Sequence, residues 1–212
     1  MRIVKLLAFF ILAFQMGSCV YLPCDPEDCC GCQGDPCGDE IVLPKDAVDL
    51  GLSVAWASSN IGAETPEAVG YYFSWGDPAV KTEYSEKEYV AKSHDIAAVK
   101  KGRNWRTPSK YEIEELLEYC DLEWTTQNEV EGLKVTGQNG NSIFIPASGC
   151  MEDSALVDEG TAMIWTSDYY TLKKEYASKF SADGKGNVGS VSMEKRFRGL
   201  PVRAVYETYR QY

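Results

Sequence analysis

Histidine is nearly missing from this chain: His94 is the one imidazole in 212 residues. Its scarcity excludes an HExxH pair or a His-rich zinc set. It also leaves a Ser-His-Asp or Cys-His machine with a single candidate base, and no GxSxG nucleophile phrase stands beside it. Positive charge is short as well, with 21 Lys and Arg against 32 Asp and Glu and a formal net charge of -11. A surface that acidic repels nucleic acid and anionic lipid, so neither is an expected partner. The N-terminal apolar run, Leu6 to Phe14, has nine residues, well under the roughly 20 that a membrane-spanning helix needs. No internal repeat with a period of about 20 to 50 residues is visible.

What the N-terminus does hold is a leader. Arg2 and Lys5 precede the apolar run, and the small residues Gly17 and Ser18 stand directly before Cys19. This resembles the lipobox at which bacterial lipoproteins are cleaved and acylated on the new N-terminal cysteine; an ordinary secretion signal with an incidental Cys19 is the alternative. The expected organisation is a signal peptide over 1–18, a Cys-rich tether over 19–40, one folded domain over 41–207 and a tail over 208–212. Acyl chains on Cys19 would then supply the contact with the membrane, since several chains hold firmly where one does not.

The chain has eight cysteines. Cys24, Cys29, Cys30, Cys32 and Cys37 crowd the tether, whereas Cys120 and Cys150 stand far apart in the domain. Setting Cys19 aside leaves an odd number, which requires a free thiol, a metal-bound cysteine or an intermolecular bridge. The segment YLPCDPEDCCGCQGDPCGDE is full of Pro, Gly and acidic residues and has no hydrophobic periodicity, so it reads as a tether without its own core. Outside the cytoplasm disulfides are the favoured state of such a cluster. A soft-metal site and unpaired thiols are the other readings, and the spacing lacks the paired CxxC arrangement of a zinc site.

From Ile41 onward the pattern is that of a folded domain. In LSVAWA, Leu52, Val54 and Trp56 alternate with small residues, as in a half-buried strand. YYFSWGD reads as a second, aromatic strand, and the polar stretch after it as a long loop with a helical turn around Ile96 to Val99. RTPSKYEIEELLEYC carries the best local signal. Ser109 and Glu112 make a capping box, and Ile113, Leu116, Leu117 and Cys120 fall on one face of an amphipathic helix over about 109–120. GLKVTGQNGNSIFIPASG predicts a hairpin around Asn139 and Gly140. MEDSALVDEGTA reads as an acidic loop, AMIWTSDYY as a strand, YASKFSADGKGNVGSVSM as a second hairpin and LPVRAVYE as a final strand. Short antiparallel strands and hairpins with one main helix make an α+β domain.

The phrases VDLGLSVAWASSNIGAETPE, GYYFSWGD, DIAAVKKGRNWRTPS, EIEELLEYCDLEWTTQN, GLKVTGQNGNSIFIPASG, IWTSDYY and RGLPVRAV, in that order, resemble the Fibrobacter succinogenes major paralogous domain family over nearly all of Val48 to Val205. Members of that family are typically secreted or surface lipoproteins of Bacteroidetes-type bacteria. The resemblance implies a C-type lectin-like fold, shared with formylglycine-generating enzymes, in which the first and last strands meet, here around Val54 and Val202 to Val205. It also implies an outer-membrane, cell-surface location. Asp25, Glu27 and Asp28 are loosely similar to the export signals of surface-displayed lipoproteins in such bacteria. The chain departs from the pattern at Lys101, Gly102 and Arg103, where Trp-Gly-Gly is usual, and at Cys150, where an aromatic is usual. Both changes put inherited ligand contacts in doubt.

Candidate chemistry is sparse. His94 beside Asp95 reads as a surface or capping histidine more readily than as a dyad. Relationship to formylglycine-generating enzymes would make Cys120 and Cys150 a catalytic pair of a thiol-dependent oxidase, but the same positions suit a structural disulfide or two buried thiols. Their neighbours Glu118, Asp121 and Glu152 are acidic, the wrong setting for a reactive thiolate. Calcium is the one cofactor with candidate ligands, Glu152, Asp153, Asp158 and Glu159, whose plainer reading is a solvated acidic loop. Asp183, Asn187 and Glu194 have partial EF-hand spacing, but Lys185 and Val188 stand where a ligand and a Gly belong, so a Gly-rich turn is the better reading. The EPN, QPD and WND phrases of sugar-binding calcium sites are absent. Five tryptophans are present, most of them inside apolar phrases that place them in the core. Tyr169 and Tyr170 beside Asp168, at a strand end, are the aromatic cluster expected at the surface and the candidate contact for a glycan or protein ligand. The leading expectation is a non-catalytic envelope lipoprotein that binds such a ligand through its loop face. A structural or assembly component of the envelope and a thiol-dependent enzyme are the alternatives.

Overall fold

Two short strands open the domain, β1 (Ala47–Val48) and β2 (Ala55–Ala57). Leu52, Val54 and Trp56 are buried as their alternation requires, but Ala55 and Ala57 are buried too, so β2 is covered on both faces rather than one. The computed structural model describes residues 42–208 apart from Arg103. The leader, Cys19, the cysteine-rich segment and residues 209–212 lie outside the described residues.

YYFSWGD does not form a strand. Its N–H groups are shared among three segments, Tyr71 donating to the Ile61 carbonyl, Phe73 to Leu200 and Trp75 to Arg196, so no continuous ladder can develop. Helix α1 (Ile96–Lys101) follows, started by the Asp95 carboxylate, which accepts from the Ala98 N–H. Strand β3 (Trp105–Arg106) leads into α2 (Lys110–Tyr119). The capping box forms: Ser109 Oγ accepts from the Glu112 N–H and the Glu112 carboxylate accepts from the Ser109 N–H at 2.7 Å. Arg106 grips the same carboxylate through both terminal nitrogens. Burial acts to raise the Glu112 pKa, but Arg106 and the Ser109 N–H outweigh it and hold the group below the usual carboxylate range. Ile113 and Leu116 bury the inner stripe of α2, with Leu117 and Cys120 packed at its margin.

The remaining chain is antiparallel strand. β4 (Asp121–Gln127), β5 (Val130–Thr136) and β6 (Ser142–Pro146) form one three-stranded sheet in that order. In the expected hairpin between β5 and β6, Gly140 alone takes a positive φ, 83°, while the Gly137 N–H donates to the Asn141 carbonyl and closes the turn. The acidic stretch is not a loop: β7 (Cys150–Glu152) and β8 (Ala155–Val157) pair as a hairpin. β9 (Thr161–Tyr169), β10 (Tyr176–Asp183) and β11 (Ser190–Lys195) form a second three-stranded sheet, with β10 in the middle. The last strand, β12 (Val205–Tyr206), is shorter than LPVRAVYE promises. It lies between β2 and β3, with Val205 opposite both Trp56 and Arg106. The two ends of the described domain are thereby stitched together. Mostly antiparallel strands with two helices make this an α+β domain.

Two cores fill the domain. The first joins Leu52, Val54 and Trp56 to Ile113, Leu116, Val135, Ile164 and Phe180; the second joins Phe73, Trp75 and Trp105 to Trp165, Leu200 and Val202. Arg203, fully buried, sits among them, and among the described residues no carboxylate pairs with it. Its guanidinium donates to Asn60 Oδ1 at 2.8 Å, to the Ala57 carbonyl at 3.0 Å and to the Phe144 carbonyl at 2.7 Å, tying three separate segments together.

Candidate functional site

The second core opens to solvent at a recess of about 220 Å³ walled by Trp75 and Trp165. Each indole is fastened to the other's segment: Trp75 Nε1 donates to the Thr166 carbonyl at 2.8 Å, and Trp165 Nε1 donates to the Phe73 carbonyl at 2.7 Å. This reciprocal pair satisfies both buried N–H groups and fixes the walls. Gly76 follows Trp75 with φ of 73°, and a Cβ there would stand 2.3 Å from the Lys92 carbonyl oxygen. Only glycine lets the chain come this close, and the approach brings Ser93 and His94 to the rim, with the His94 N–H donating to the Gly76 carbonyl. Thr107 and Ser167 complete it from the other side.

Arg196 braces the recess from behind. Its guanidinium stacks 4.2 Å from the centre of the Trp75 indole and lies 5.8 Å from the rings of both Tyr89 and Tyr169. It donates to the Lys92 carbonyl at 2.5 Å and the Lys174 carbonyl at 3.0 Å. One side chain thus joins the segment before α1, the Trp75 segment and the turn between β9 and β10.

Of the expected contact cluster, Tyr169 packs against Trp75 without lining the recess itself. The residue is 51% exposed, and its ring centre lies 5.5 Å from that of Trp75. Tyr170 is 37% exposed, and its N–H closes the turn onto the Tyr176 carbonyl. Asp168 faces elsewhere in function: its carboxylate accepts from the Lys110 N–H at 2.6 Å, at the start of α2. His94 lines the recess, but Asp95 does not serve it as a dyad partner. The Asp95 carboxylate is committed to the Ala98 N–H, the Thr107 N–H and the Thr107 hydroxyl.

The acidic candidates are split. Arg198 binds Glu152 and also Asp158 and Glu194, the last at 3.4 Å, so two of the four proposed calcium ligands serve an internal ion-pair network. Asp153 exchanges backbone hydrogen bonds with Tyr84. Among the described residues no three His, Cys, Asp or Glu side chains gather as a chelating group. In the turn between β10 and β11, Asp183 accepts from the Lys185 and Asn187 N–H groups, which is the plain Gly-rich turn.

Cys120 and Cys150 do not bridge: both are free thiols, one beside the first core and the other inside the second. Burial pushes the Cys150 thiol up to about 12; the Arg198 charge opposes this, and the hydrogen bond it donates to Asp158 adds to it. Cys120 is raised as well, by burial and then by Glu115 and Asp121. Neither sits in the electropositive, exposed setting that makes a nucleophile.

The brace at Arg196 and the role of Gly76 were not visible in the sequence, because both partners lie far along the chain. A glycine directly after an aromatic phrase was the one local trace. Family models, curated proteins and solved structures give no match to this chain, so the resemblance rests on the ordered phrases alone.

Proposed function

We propose that the chain is a non-catalytic lipoprotein of the bacterial cell envelope, anchored through lipid on Cys19 at the outer membrane and displayed at the surface. Its domain, of C-type lectin-like fold and the Fibrobacter succinogenes major paralogous type, binds a glycan or protein through the face around the recess. The observation that carries the binding role is the half-exposed Tyr169 ring set against Trp75 beside a rigid polar-rimmed recess. Exposed rings next to concave surfaces are where binding energy concentrates. The pairing of β2 with β12 and the order of the family phrases support the fold reading.

Two measurements test it. Mass spectrometry of the N-terminal peptide from native membranes is expected to find acylated Cys19; an intact Met1 on cytosolic protein would overturn the location. A glycan array and a pull-down with purified full-length protein are expected to give a ligand that Tyr169→Ala loses while the fold survives. If Tyr169→Ala changes neither, the proposed face is wrong.

A further inference from the structure

We infer that two copies of this chain pair reciprocally, the turn between β9 and β10 of each docking into a charged groove of the other; this surface is separate from the recess and does not depend on the ligand proposed above. The turn carries Leu172, which is 98% exposed. Turn centres favour Gly, Asn and Asp, each for a backbone reason, and a leucine there serves no such purpose. The backbone around it is nevertheless tightly held. The Lys173 N–H donates to the Tyr170 carbonyl at 3.1 Å and the Tyr176 N–H to the Lys173 carbonyl at 2.9 Å, so Thr171 and Leu172 centre one tight turn and Lys174 and Glu175 centre the next. Arg196 fastens the second turn, its guanidinium donating to the Lys174 carbonyl and its backbone N–H to the Glu175 carbonyl. Tyr170, 37% exposed, precedes this apolar point, and the exposed Lys173 and Lys174 follow it.

The complement lies on the same molecule. A groove of about 580 Å³ is lined by Glu83, Glu86, Glu152 and Asp153 against Lys87 and Lys195, and Phe197 supplies its apolar lining. Arg198 holds Glu152, whereas Glu83, Glu86 and Asp153 are exposed, so the groove is acidic on balance. It borders the turn: Lys195 stands opposite Tyr176, the first residue of β10, and Phe197 follows Arg196 in the chain. Yet at 98% exposure Leu172 does not enter the groove of its own domain. A knob beside a socket has a closed solution across a two-fold axis, in which each turn enters the other copy's groove. Leu172 then meets Phe197, and Lys173 and Lys174 meet Glu83, Glu86 and Asp153. An anionic lipid surface is the poorer occupant, because a plane faces the charge of the whole chain, -11, while a groove faces only the turn.

The test is sedimentation equilibrium of purified full-length protein in density-matched detergent with a reductant, so that neither N-terminal lipid nor the tether cysteines link copies. Two turns in two grooves make an interface at the small end of specific ones, and the expected result is a monomer–dimer equilibrium with Kd of about 10–100 μM. Leu172→Asp is expected to weaken it at least about tenfold at unchanged melting temperature. The pair Lys173→Glu with Lys174→Glu should weaken it comparably, and so should the pair Glu83→Lys with Glu86→Lys. Mixing those two charge-reversed proteins is expected to restore a dimer near the native affinity, since each turn again faces a groove of opposite sign. A native protein that stays monomeric to about 1 mM, a dimer indifferent to Leu172→Asp, or charge-reversed proteins that do not rescue each other would overturn the inference. So would open-ended assembly beyond the dimer, or Leu172-dependent binding to phosphatidylglycerol vesicles by a chain that remains monomeric.

Discussion

Replacing Arg196 with Met removes the donors while keeping most of the bulk that packs on Trp75. Native Arg196 is 7% exposed, and its guanidinium donates to the Lys92 and Lys174 carbonyls and lies 4.2 Å from the centre of the Trp75 indole. Each charge-assisted hydrogen bond contributes about 1.5–3 kcal/mol, but both carbonyls belong to solvent-exposed residues and can take water instead, which favours the low end. The cation–π contact adds about 0.5–2 kcal/mol. Against these stands the cost of burying a cation whose Nε has no hydrogen-bond partner among the described residues. The net expectation is a loss of about 2 kcal/mol, or roughly 4–8 °C in melting temperature for a domain of this size. Hydrogen exchange supplies the sharper readout. The amides of His94 and Tyr170, which donate to the Gly76 and Tyr176 carbonyls, should exchange at least about a hundredfold faster than in the native protein, whereas Val135 in β5 should change only by the roughly 30-fold that about 2 kcal/mol of global stability represents. A uniform change across these amides would mean that Arg196 serves the whole core rather than the recess. A variant more stable than the native chain would refute the energy estimate itself.

Arg203→Met strands the Ala57 and Phe144 carbonyls and Asn60 Oδ1 in the interior, so chemical denaturation should register a loss of about 3–5 kcal/mol; a loss under about 1 kcal/mol would show that those acceptors find other donors. Ser109→Ala should cost about 1 kcal/mol by removing the cap of α2, measured the same way. Asp77 gives an acid-side test. Burial raises its pKa, but Lys92, the Ala79 N–H and Lys81 outweigh burial and hold it below the usual range. A depressed acid adds stability in full above its unfolded pKa, roughly 3.9, and loses it as pH falls below that through the folded value. Asp77→Asn should therefore be less stable at neutral pH and show a flatter melting-temperature curve below about pH 4. Cys150, held protonated with its pKa near 12, should resist iodoacetamide in the folded protein at neutral pH and react on unfolding; rapid alkylation of the native thiol would contradict the burial argument.

How much of this was legible depends on how local the causes are. Helix α2 could be read because its cap, its stripe and its acidic first turn all lie within a dozen residues, and both long hairpins because a glycine-rich turn stands between alternating strands. YYFSWGD could not. Its aromatics have strand propensity, but its partners are the carbonyls of Ile61, Leu200 and Arg196, which no local pattern announces. MEDSALVDEGTA has poor strand composition and still forms a hairpin, because Met151 exchanges both backbone hydrogen bonds with Gly199 and that tertiary bridge outweighs propensity. β4 escaped notice because Asp121 and Glu123 dominate its composition. The alternation is nevertheless there, with Leu122 and Trp124 turned toward the first core.

The same distinction between local and distant causes divides the recess itself. Its walls are core residues: Trp75 and Trp165 are each pinned by the other's segment, and the Thr166 hydroxyl donates a hydrogen bond to the Ser178 carbonyl inside the sheet. A change there alters packing and polar satisfaction together, so it cannot tune a ligand without weakening the domain. The rim is built differently. Ser93, His94 and Ser167 are exposed and rest on backbone that Gly76, Arg196 and the β9 strand hold in place. Their side chains can change without touching the cores, so under the proposed binding role they are the positions where ligand preference would be set. Substitutions at the rim should move affinity at constant stability, and substitutions in the walls should move both. Finding instead that Ser167→Ala or His94→Ala melts the domain would mean the recess is a packing defect and no binding face at all.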